Sequence, residues 1–196
     1  MRNRERIIRA ARELLVAYGP DVPLDEIARR AGVGNATLYR HFPDRADLLH
    51  EVVVFVLDRM YEQAERAQAE EADPFDAVRR FAHRAAEERT GALCPVVSST
   101  FDREHPDLVS RRTRLEDAVE ALIERAQTAG RMRPDVAVGD LMVVVSLLTR
   151  PLPGTGCVDN DSFVHRHLQL FLDGLEAPAR SELSGRAITL EDLRKH

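Results

Sequence analysis

The chain has no tryptophan and only two cysteines, Cys94 and Cys157. These cysteines fit no Cys-x-x-Cys pattern, which favours a reducing compartment. No apolar run approaches the roughly 18 residues that are needed to cross a bilayer, and the charged start of the chain does not resemble an apolar signal region. The sequence therefore predicts a soluble, cytoplasmic protein that has no membrane partner.

Sequence motifs of catalysis and metal binding are also missing. The chain contains no G-x-S-x-G, no phosphate-cradling G-x-x-x-x-G-K and no H-E-x-x-H. His165 and His167 are two residues apart, so on a helix they point to different faces and do not form a ready metal pair. Residues 159–161 resemble the start of a calcium loop but lack the later glycine and glutamate. We therefore predict no enzymatic activity, no metal and no cofactor.

The net charge of −5 is unevenly distributed along the chain. Residues 1–50 carry nine arginines and seven acidic residues, a net charge of +2, whereas the remainder carries 19 basic and 26 acidic residues, a net charge of −7. Five of the arginines precede residue 13: Arg2, Arg4, Arg6, Arg9 and Arg12. An acidic body can repel DNA while a small basic face binds it, so the negative total does not exclude DNA as a partner.

Residues 23–42 have the pattern of a helix-turn-helix. The apolar residues of Leu24–Ala31 recur at helical spacing, and Gly32 ends this helix because glycine readily takes a positive φ. A second short helix is predicted over 35–42, before Pro43. Two short helices that are joined by a three- or four-residue turn with glycine place the second helix in the major groove of DNA.

The second helix of this motif divides into an apolar and a polar side. Leu38 and Phe42 are four residues apart and can pack inward with Val33. The outer residues are polar or aromatic and none is acidic: Asn35, Thr37, Tyr39, Arg40 and His41. Asparagine and threonine can contact base edges, the other three commonly bind phosphates, and the small Ala36 permits close approach to a thymine methyl. The alternative, an ordinary helical hairpin, is disfavoured by the absence of acidic side chains.

The same residues resemble a known family signature. Residues 27–33 (Ile-Ala-Arg-Arg-Ala-Gly-Val) followed by 37–43 (Thr-Leu-Tyr-Arg-His-Phe-Pro) are similar to the tetracycline-repressor (TetR) family of regulators. The resemblance covers about the first fifty residues; the rest matches only in length and helical character. It implies DNA contacts by Thr37, Tyr39 and His41, and a phosphate contact by Arg45, where the family has a lysine. Pro23 and Gly34 replace residues whose hydroxyls could cap a helix, so those two contacts are not expected.

The remaining pattern predicts an all-α chain of two domains. A three-helix DNA-binding domain (1–47) begins with a helix over 3–18, and a long helix (about 43–72) joins it to a helical effector-binding and dimerisation domain (48–178). Further helices are predicted over 74–90, 106–129, a segment capped by Asp135 that ends near Thr149, and 161–175. A break is predicted at Gly91, the segment 95–101 is helix or strand, and 151–156 is a loop. For the polar tail, 179–196, the pattern leaves open a short turn at 190–193 or disorder.

Two apolar helices of the second domain suggest a dimer. Residues 141–148 are apolar almost all round, so this helix must be buried on more than one side, and 161–175 carries an apolar stripe. Together they can form half of an intersubunit four-helix bundle, which is also where the resemblance implies the family's dimer contact. The alternative is a central core helix in a monomer. The candidate interface residues are Leu141, Val144, Val145, Leu148, Val164, Leu168, Phe171 and Leu175.

Aromatic and methionine side chains of the second domain are plain core or line a ligand pocket. The candidates are Phe75, Phe81, Phe101, Met142 and Phe163. Only the family resemblance favours the pocket. The predicted function is a ligand-responsive regulator, a repressor that binds an inverted-repeat operator in double-stranded DNA as a homodimer and is released by a small-molecule effector. The alternatives are an architectural DNA-binding protein without an effector and an all-helical enzyme with an incidental motif.

Overall fold

All regular secondary structure that the computed structural model describes is helical. The model describes residues 2–97, 104–150, 161–189 and Asp192. In these ranges the helices are α1 (Arg2–Tyr18), α2 (Leu24–Ala31), α3 (Asn35–His41), α4 (Arg45–Glu70), α5 (Pro74–Glu87), α6 (Thr90–Val97), α7 (Pro106–Thr128), α8 (Val138–Leu148) and α9 (Asp161–Leu175). The predicted all-α fold is confirmed. No helix of the described part is long and apolar enough to span a bilayer.

The chain forms two compact units. Unit 1 comprises Met1–Asp58 and Ala92–Arg111, and unit 2 comprises Arg59–Gly91 and Arg112–His196. Helices α4, α6 and α7 therefore contribute residues to both units. The domain boundary expected at residue 47 stays a prediction.

Unit 1 has an apolar core that α1, α2 and α3 share with the first half of α4. Three such short helices have little surface to bury on their own. The side chains of Leu48 and Val52 on α4 are only 1% exposed. An ion pair of 2.6 Å between Arg4 on α1 and Glu51 on α4 lies at the surface of this core. The first turns of α4 thus complete the small N-terminal core, as the sequence predicted.

Unit 2 is built around α5, α8 and α9, which pack against one another. The sites of close contact are apolar: Phe75, Val78 and Phe81 on α5, Leu141 and Val145 on α8, and Leu168 and Leu172 on α9 are all fully buried. Helix α8 is apolar on nearly all sides, and its buried side faces this core.

The helix break predicted at Gly91 is wrong. Gly91 lies inside α6, and the change of direction falls at Arg89, whose φ is +51°. Gly91 serves another purpose, because a Cβ there would lie 1.9 Å from the carbonyl oxygen of Ser146 on α8. The Gly91 N–H also donates to the Thr149 hydroxyl at 2.9 Å. The glycine therefore permits close approach within unit 2. The described part of the segment 95–101, residues 95–97, is helical.

The predicted cap of α8 is also wrong. Asp135 forms an ion pair with the buried Arg133 at 2.6 Å, and this guanidinium lowers the pKa of Asp135 to about 2. Helix α8 begins three residues later, at Val138. Its N-terminus is satisfied by Asp140, whose carboxylate accepts a hydrogen bond from the Ala137 N–H at 2.9 Å. The capping acid is thus inside the first turn, as in one half of a capping box.

Residues 181–189 of the tail are attached to unit 2, whereas of the short turn expected at 190–193 the structure describes only Asp192. The Arg133 guanidinium donates to the Ser181 carbonyl at 2.8 Å. The Ile188 N–H donates to the Asp140 carboxylate at 3.2 Å. At Gly139 the backbone of the tail approaches so closely that a Cβ would lie 2.3 Å from the Ile188 carbonyl oxygen. Residues 181–189 therefore cover the start of α8.

Replacing Gly139 with alanine should release this tail. The added methyl group overlaps backbone atoms rather than a flexible side chain, and such overpacking costs about 1–3 kcal/mol. We expect the free energy of unfolding in urea to fall by that amount and limited proteolysis to cleave the tail faster than in the wild type. Unchanged stability and unchanged cleavage of the tail would contradict the close contact between Gly139 and Ile188.

Candidate DNA-binding site

The turn between α2 and α3 depends on Gly32. This residue has φ +64° and ψ +40°, the left-handed conformation that side chains disfavour. Its N–H donates to the Arg29 carbonyl at 3.1 Å, and the Val33 N–H donates to the Ala28 carbonyl at 3.0 Å. These bonds satisfy the last carbonyls of α2, as in a Schellman motif. The chain then enters α3 after Gly34, so the predicted helix-turn-helix geometry is present.

The inner side of α3 is the predicted apolar side. Leu38 and Phe42 are each 1% exposed, and Val33 is half-buried at the turn. The guanidinium of Arg4 lies 5.5 Å from the centroid of the Phe42 ring. Helix α3 ends at His41, and Phe42 is its C-terminal cap. Packing of these apolar side chains fixes which side of α3 faces outward.

The outer side of α3 presents most of the predicted DNA-contacting residues. Exposed side chains on this short helix are Asn35, Ala36, Tyr39, Arg40 and His41, whereas Thr37 is half-buried. Tyr39 is 47% exposed, which is unusual for a large aromatic side chain with no structural role. Arg40 lies near Thr37, with Nη2 at 3.4 Å from the hydroxyl oxygen. The surface therefore combines a cation, an imidazole, a phenol and an amide within two helical turns.

An acidic residue of α2 lies next to the outer side of α3. The sequence of α3 alone could not indicate this neighbour. The Asn35 side-chain amide donates to the Asp25 carboxylate at 2.9 Å. One of the two amide N–H groups of Asn35 is therefore occupied, while its carbonyl oxygen and the second N–H keep their hydrogen-bonding capacity. Asp25 positions the Asn35 side chain and also adds a negative charge beside a surface that is otherwise free of acids.

Arg45 differs from the other residues that are predicted to contact DNA, because its guanidinium is hydrogen-bonded within unit 1. Its guanidinium donates to the Val22 carbonyl at 2.7 Å and also to the Pro20 carbonyl. These bonds fasten the turn after α1 to the start of α4. The phosphate contact that the resemblance implies stays a prediction. Replacement of Arg45 would disturb the fold as well as any such contact.

Several of the early arginines are also engaged within unit 1. Arg6 donates to the Gly32 carbonyl at 3.3 Å, and Arg30 pairs with Glu13 at 2.7 Å. On α2, Arg29 pairs with Glu26 at 2.5 Å. The basic residues before the motif therefore belong to α1 and partly support the motif itself, so a count of charges over 1–50 overstates the positive charge that is available to a ligand.

The predicted pocket residues differ in burial. Phe75 and Phe81 are fully buried on α5, and Met142 is half-buried on α8. Phe163 is 52% exposed on α9. Phe101 lies outside the described residues. The ligand pocket stays a prediction.

The predicted interface residues also divide by burial. Five belong to the chain's own core: Leu141, Val145, Val164, Leu168 and Leu175. Three are half-buried: Val144, Leu148 and Phe171. A side chain that is already buried within the chain offers little surface to a partner, and the dimer interface itself stays a prediction. The exposed large apolar residues of these helices are Leu147, Phe163 and Leu170, at 54%, 52% and 61%; we call them the α8–α9 apolar face.

Sequence reasoning also missed an ion pair in unit 2 of which one partner is buried. Glu88, just after α5, is only 2% exposed, and its carboxylate accepts a hydrogen bond at 2.7 Å from Nε of Arg59 on α4, whose own side chain is exposed. The nearby Thr90 hydroxyl is buried and has no hydrogen-bond partner among the described residues. Buried polar groups of this kind require a specific explanation. A charged residue just after a helical apolar stripe carries no sequence signal of burial.

The described chain is helical, and its helix-turn-helix depends on a glycine turn and exposes hydrogen-bond donors on the outer side of α3. These features define a DNA-binding transcriptional regulator. Two family models match this chain. The model described as "Bacterial regulatory proteins, tetR family" matches residues 7–52, and "Transcriptional regulator SbtR-like, C-terminal domain" matches residues 73–177. The chain belongs to the TetR family of DNA-binding transcriptional regulators.

Known proteins agree with this assignment. The TetR transcriptional regulator SCO0520 of Streptomyces coelicolor is 30% identical and has a TM-score of 0.68, with 90% of this chain and 99% of that chain covered. LfrR of Mycobacterium smegmatis, which was solved in complex with proflavine, is 20% identical and has a TM-score of 0.63. The match covers 93% of this chain and 99% of LfrR, and at this identity it shows a shared fold. Nucleoid occlusion factor SlmA of Vibrio campbellii is 28% identical over 129 residues, 64% of this chain. The match spans 63% of SlmA, less than two thirds of its length.

Replacement of Asp25 with alanine should alter DNA binding in two ways. Loss of a negative charge beside the outer side of α3 should raise affinity for any duplex roughly two- to five-fold, the scale of one exposed charge interaction. Release of Asn35 should also weaken base preference. Asp25→Asn is the matched control, because it removes the charge but keeps an oxygen acceptor for Asn35. Equal base preference in wild type, Asp25→Asn and Asp25→Ala, measured with a panel of duplexes, would show that Asp25 does not position Asn35 for recognition.

Proposed function

We propose that this protein is a transcriptional repressor that binds an inverted-repeat operator as a homodimer and is released from DNA by a small-molecule effector. The observation that carries the DNA-binding part is the outer side of α3, where exposed donors stand on a helix that Gly32, Leu38 and Phe42 hold in place. Phosphate contacts position such a helix and base contacts give it specificity. Arg40, His41 and Tyr39 have the chemistry for the first task, and Asn35 and Thr37 for the second.

The α8–α9 apolar face supports the homodimer. Three large apolar side chains that are each more than half exposed are costly to leave in water, and exposed apolar patches mark interaction sites. A second copy of the chain offers the same face, and a two-fold dimer brings identical patches together. Two-fold symmetry of the protein requires two half-sites in inverted orientation in the DNA. The operator we propose is therefore an inverted repeat.

The effector site is proposed in unit 2. Phe75 and Phe81 supply buried aromatic surface on α5, and Met142 supplies an adaptable side chain on α8. The bound proflavine of LfrR, a relative in fold, supports a small planar molecule as a ligand of this class of domain. The ion pair between the buried Glu88 and the exposed Arg59 can couple such a ligand to α4, because Arg59 belongs to that helix.

Helix α4 provides the proposed route from effector to DNA. It runs without interruption from Arg45 to Glu70, about 39 Å at 1.5 Å per residue. Its first turns belong to the core that holds α3, so a tilt of the helix moves the DNA-contacting surface. Both recognition helices of a dimer must enter successive major grooves together, which leaves little tolerance for displacement. A ligand that favours the displaced state then weakens DNA binding.

Calorimetry tests this coupling directly. A coupling free energy of about 1–3 kcal/mol gives roughly five- to 150-fold weaker DNA binding, and by linkage DNA must weaken ligand binding by the same factor. Compounds related to the products of the flanking genes are the rational first probes, provided that they do not bind the duplex themselves. Each should be titrated into free protein and into protein bound to a duplex from its own upstream region. Equal ligand affinities in the two titrations would exclude release by that compound, and a higher affinity on DNA would make it a co-repressor.

A second candidate function is architectural DNA binding without an effector. The observation in its favour is the similarity to relatives that are named nucleoid occlusion factors. Mapping of the bound chromosomal sites separates the two proposals. A repressor should occupy a few promoters, whereas an architectural protein should occupy sites dispersed along the chromosome. Failure to shift any duplex in a gel would instead favour the remaining alternative, an enzyme with an incidental motif.

A further inference from the structure

Two histidines of unit 2 face each other at a distance that neither packing nor the proposed function requires. Nδ1 of His83 on α5 lies 2.9 Å from Nδ1 of His165 on α9. The rings are stacked, with centroids 5.1 Å apart and an interplanar angle of 27°. Both side chains are half-buried. They lie 82 residues apart in sequence, so only the packing of α5 against α9 brings them together.

The hydrogen bonds around this pair fix which nitrogen of His83 carries its proton. Gln169 donates through Nε2 to the Asp173 carboxylate at 2.6 Å. A carboxylate only accepts, so the amide oxygen of Gln169 must face Nε2 of His83, at 3.3 Å. An amide oxygen also only accepts, which places the proton of His83 on Nε2. In the neutral ring Nδ1 then keeps its lone pair, and this atom lies 2.9 Å from Nδ1 of His165.

This arrangement matches that of metal-binding imidazoles. Such a histidine coordinates the ion through one nitrogen and donates its other N–H to an oxygen that fixes the ring orientation. We propose that His83 and His165 bind a late first-row divalent transition-metal ion, of the Ni²⁺ or Cu²⁺ type, through their two Nδ1 atoms. The ion takes the place of the proton on His165 Nδ1, which either leaves to water or moves to Nε2 by a change of tautomer. Gln169 and Asp173 then orient His83 as outer partners.

The two nitrogen donors indicate the kind of ion. Imidazole nitrogen suits the later first-row divalent ions, and the affinity of such donors rises along that series to Ni²⁺ and Cu²⁺. Imidazole also disfavours Mg²⁺ and Ca²⁺, which select oxygen ligands.

Water must complete the coordination shell. Among the described residues no group of three or more His, Cys, Asp or Glu side chains is placed to hold a metal ion. The site is therefore an open one with two protein ligands. Of the charged groups near His83, Glu87 favours a cation and Arg79 opposes it. Bound metal would join α5 to α9 across the core of unit 2, and the existence of the site does not depend on the proposed regulatory function.

Nickel titration of the untagged full chain, with its cysteines kept reduced, tests the proposal. We expect one Ni²⁺ per chain and a loss of affinity of at least about tenfold in His83→Gln and in His165→Gln, since even outer partners of a metal site contribute 10–100-fold. His167→Gln is the matched control. His167 lies on the same helix, is exposed and donates a hydrogen bond from Nδ1 to the Phe163 carbonyl at 2.7 Å. Its replacement should leave Ni²⁺ affinity unchanged.

A second control covers the other close histidine pair, His50 and His105 of unit 1, whose ring centroids are 4.6 Å apart. His50→Gln should also keep full Ni²⁺ affinity. Circular dichroism establishes that each variant retains its helices. The proposal is overturned if the folded wild type binds no Ni²⁺, if His83→Gln and His165→Gln bind as the wild type does, or if a control variant loses the ion to the same extent.

Discussion

Replacing Leu170 with glutamate should convert the dimer to monomers and weaken operator binding by about 10²- to 10⁴-fold. Leu170 is 61% exposed on α9, so the chain itself tolerates a charge there. In a dimer formed through the α8–α9 apolar face, the same charge is removed from water without a partner, which costs several kcal/mol. A monomer then contacts one half-site, and the gain from simultaneous engagement of two linked sites, about 10²- to 10⁴-fold, is lost.

Leu183→Glu is the matched control for this prediction. Leu183 is 51% exposed in the tail, and the chemical change is the same. Sedimentation at micromolar concentration should show a dimer for the wild type and for Leu183→Glu, and a monomer for Leu170→Glu. A wild-type monomer that still binds its operator tightly would reject the dimer model, and a dimeric Leu170→Glu would move the interface away from this face.

Replacing Arg40 with alanine should weaken binding to all duplexes to a similar extent. Arg40 is exposed on the outer side of α3, where its partner within the chain is the Thr37 hydroxyl. Loss of one phosphate contact from each subunit of a dimer removes two contacts, so the slope of log affinity against log salt should become less negative by about 2. Tyr39→Ala should act in the same direction, with a smaller change of slope because a phenol is uncharged.

Two further variants, Arg180→Ala and Thr37→Ala, complete this test. Arg180 is an exposed arginine of the tail and belongs to unit 2, so its replacement makes the same change of charge outside unit 1 and outside the α8–α9 apolar face. It should alter neither affinity nor salt slope. Thr37→Ala should instead relax preference at one or two base pairs by roughly 1–3 kcal/mol. If affinity and base preference are unchanged in folded Arg40→Ala, Tyr39→Ala and Thr37→Ala, α3 is not the recognition helix.

The parts of the site that the sequence predicted are those set by local chemistry. Gly32 has a left-handed backbone that glycine adopts readily, and the spacing of Leu38 and Phe42 fixes the inner side of α3. These requirements act over a few residues and are therefore visible in the sequence. The same is true of most helix bounds, which follow from apolar periodicity and from proline and glycine.

The parts that the sequence missed depend on contacts between distant segments. The bond between Asn35 and Asp25 needs the approach of α2 to α3, and Arg45 binds carbonyls more than twenty residues away. Gly91 was taken for a helix break because its real role, close approach to Ser146, lies 55 residues further along. Helix α8 is apolar all round, so its sequence could not show which side the chain itself buries.

Selection of bound duplexes from a random pool tests the central claim most directly. The wild-type protein should enrich an inverted repeat whose half-site centres are about 10–10.5 base pairs apart, or a multiple of that spacing. The Arg40→Ala variant should enrich the same sequence with lower yield, and Thr37→Ala should enrich one that is degenerate at one or two positions. Enrichment of no motif, or of a motif without two-fold symmetry, would contradict a homodimer that recognises DNA through α3.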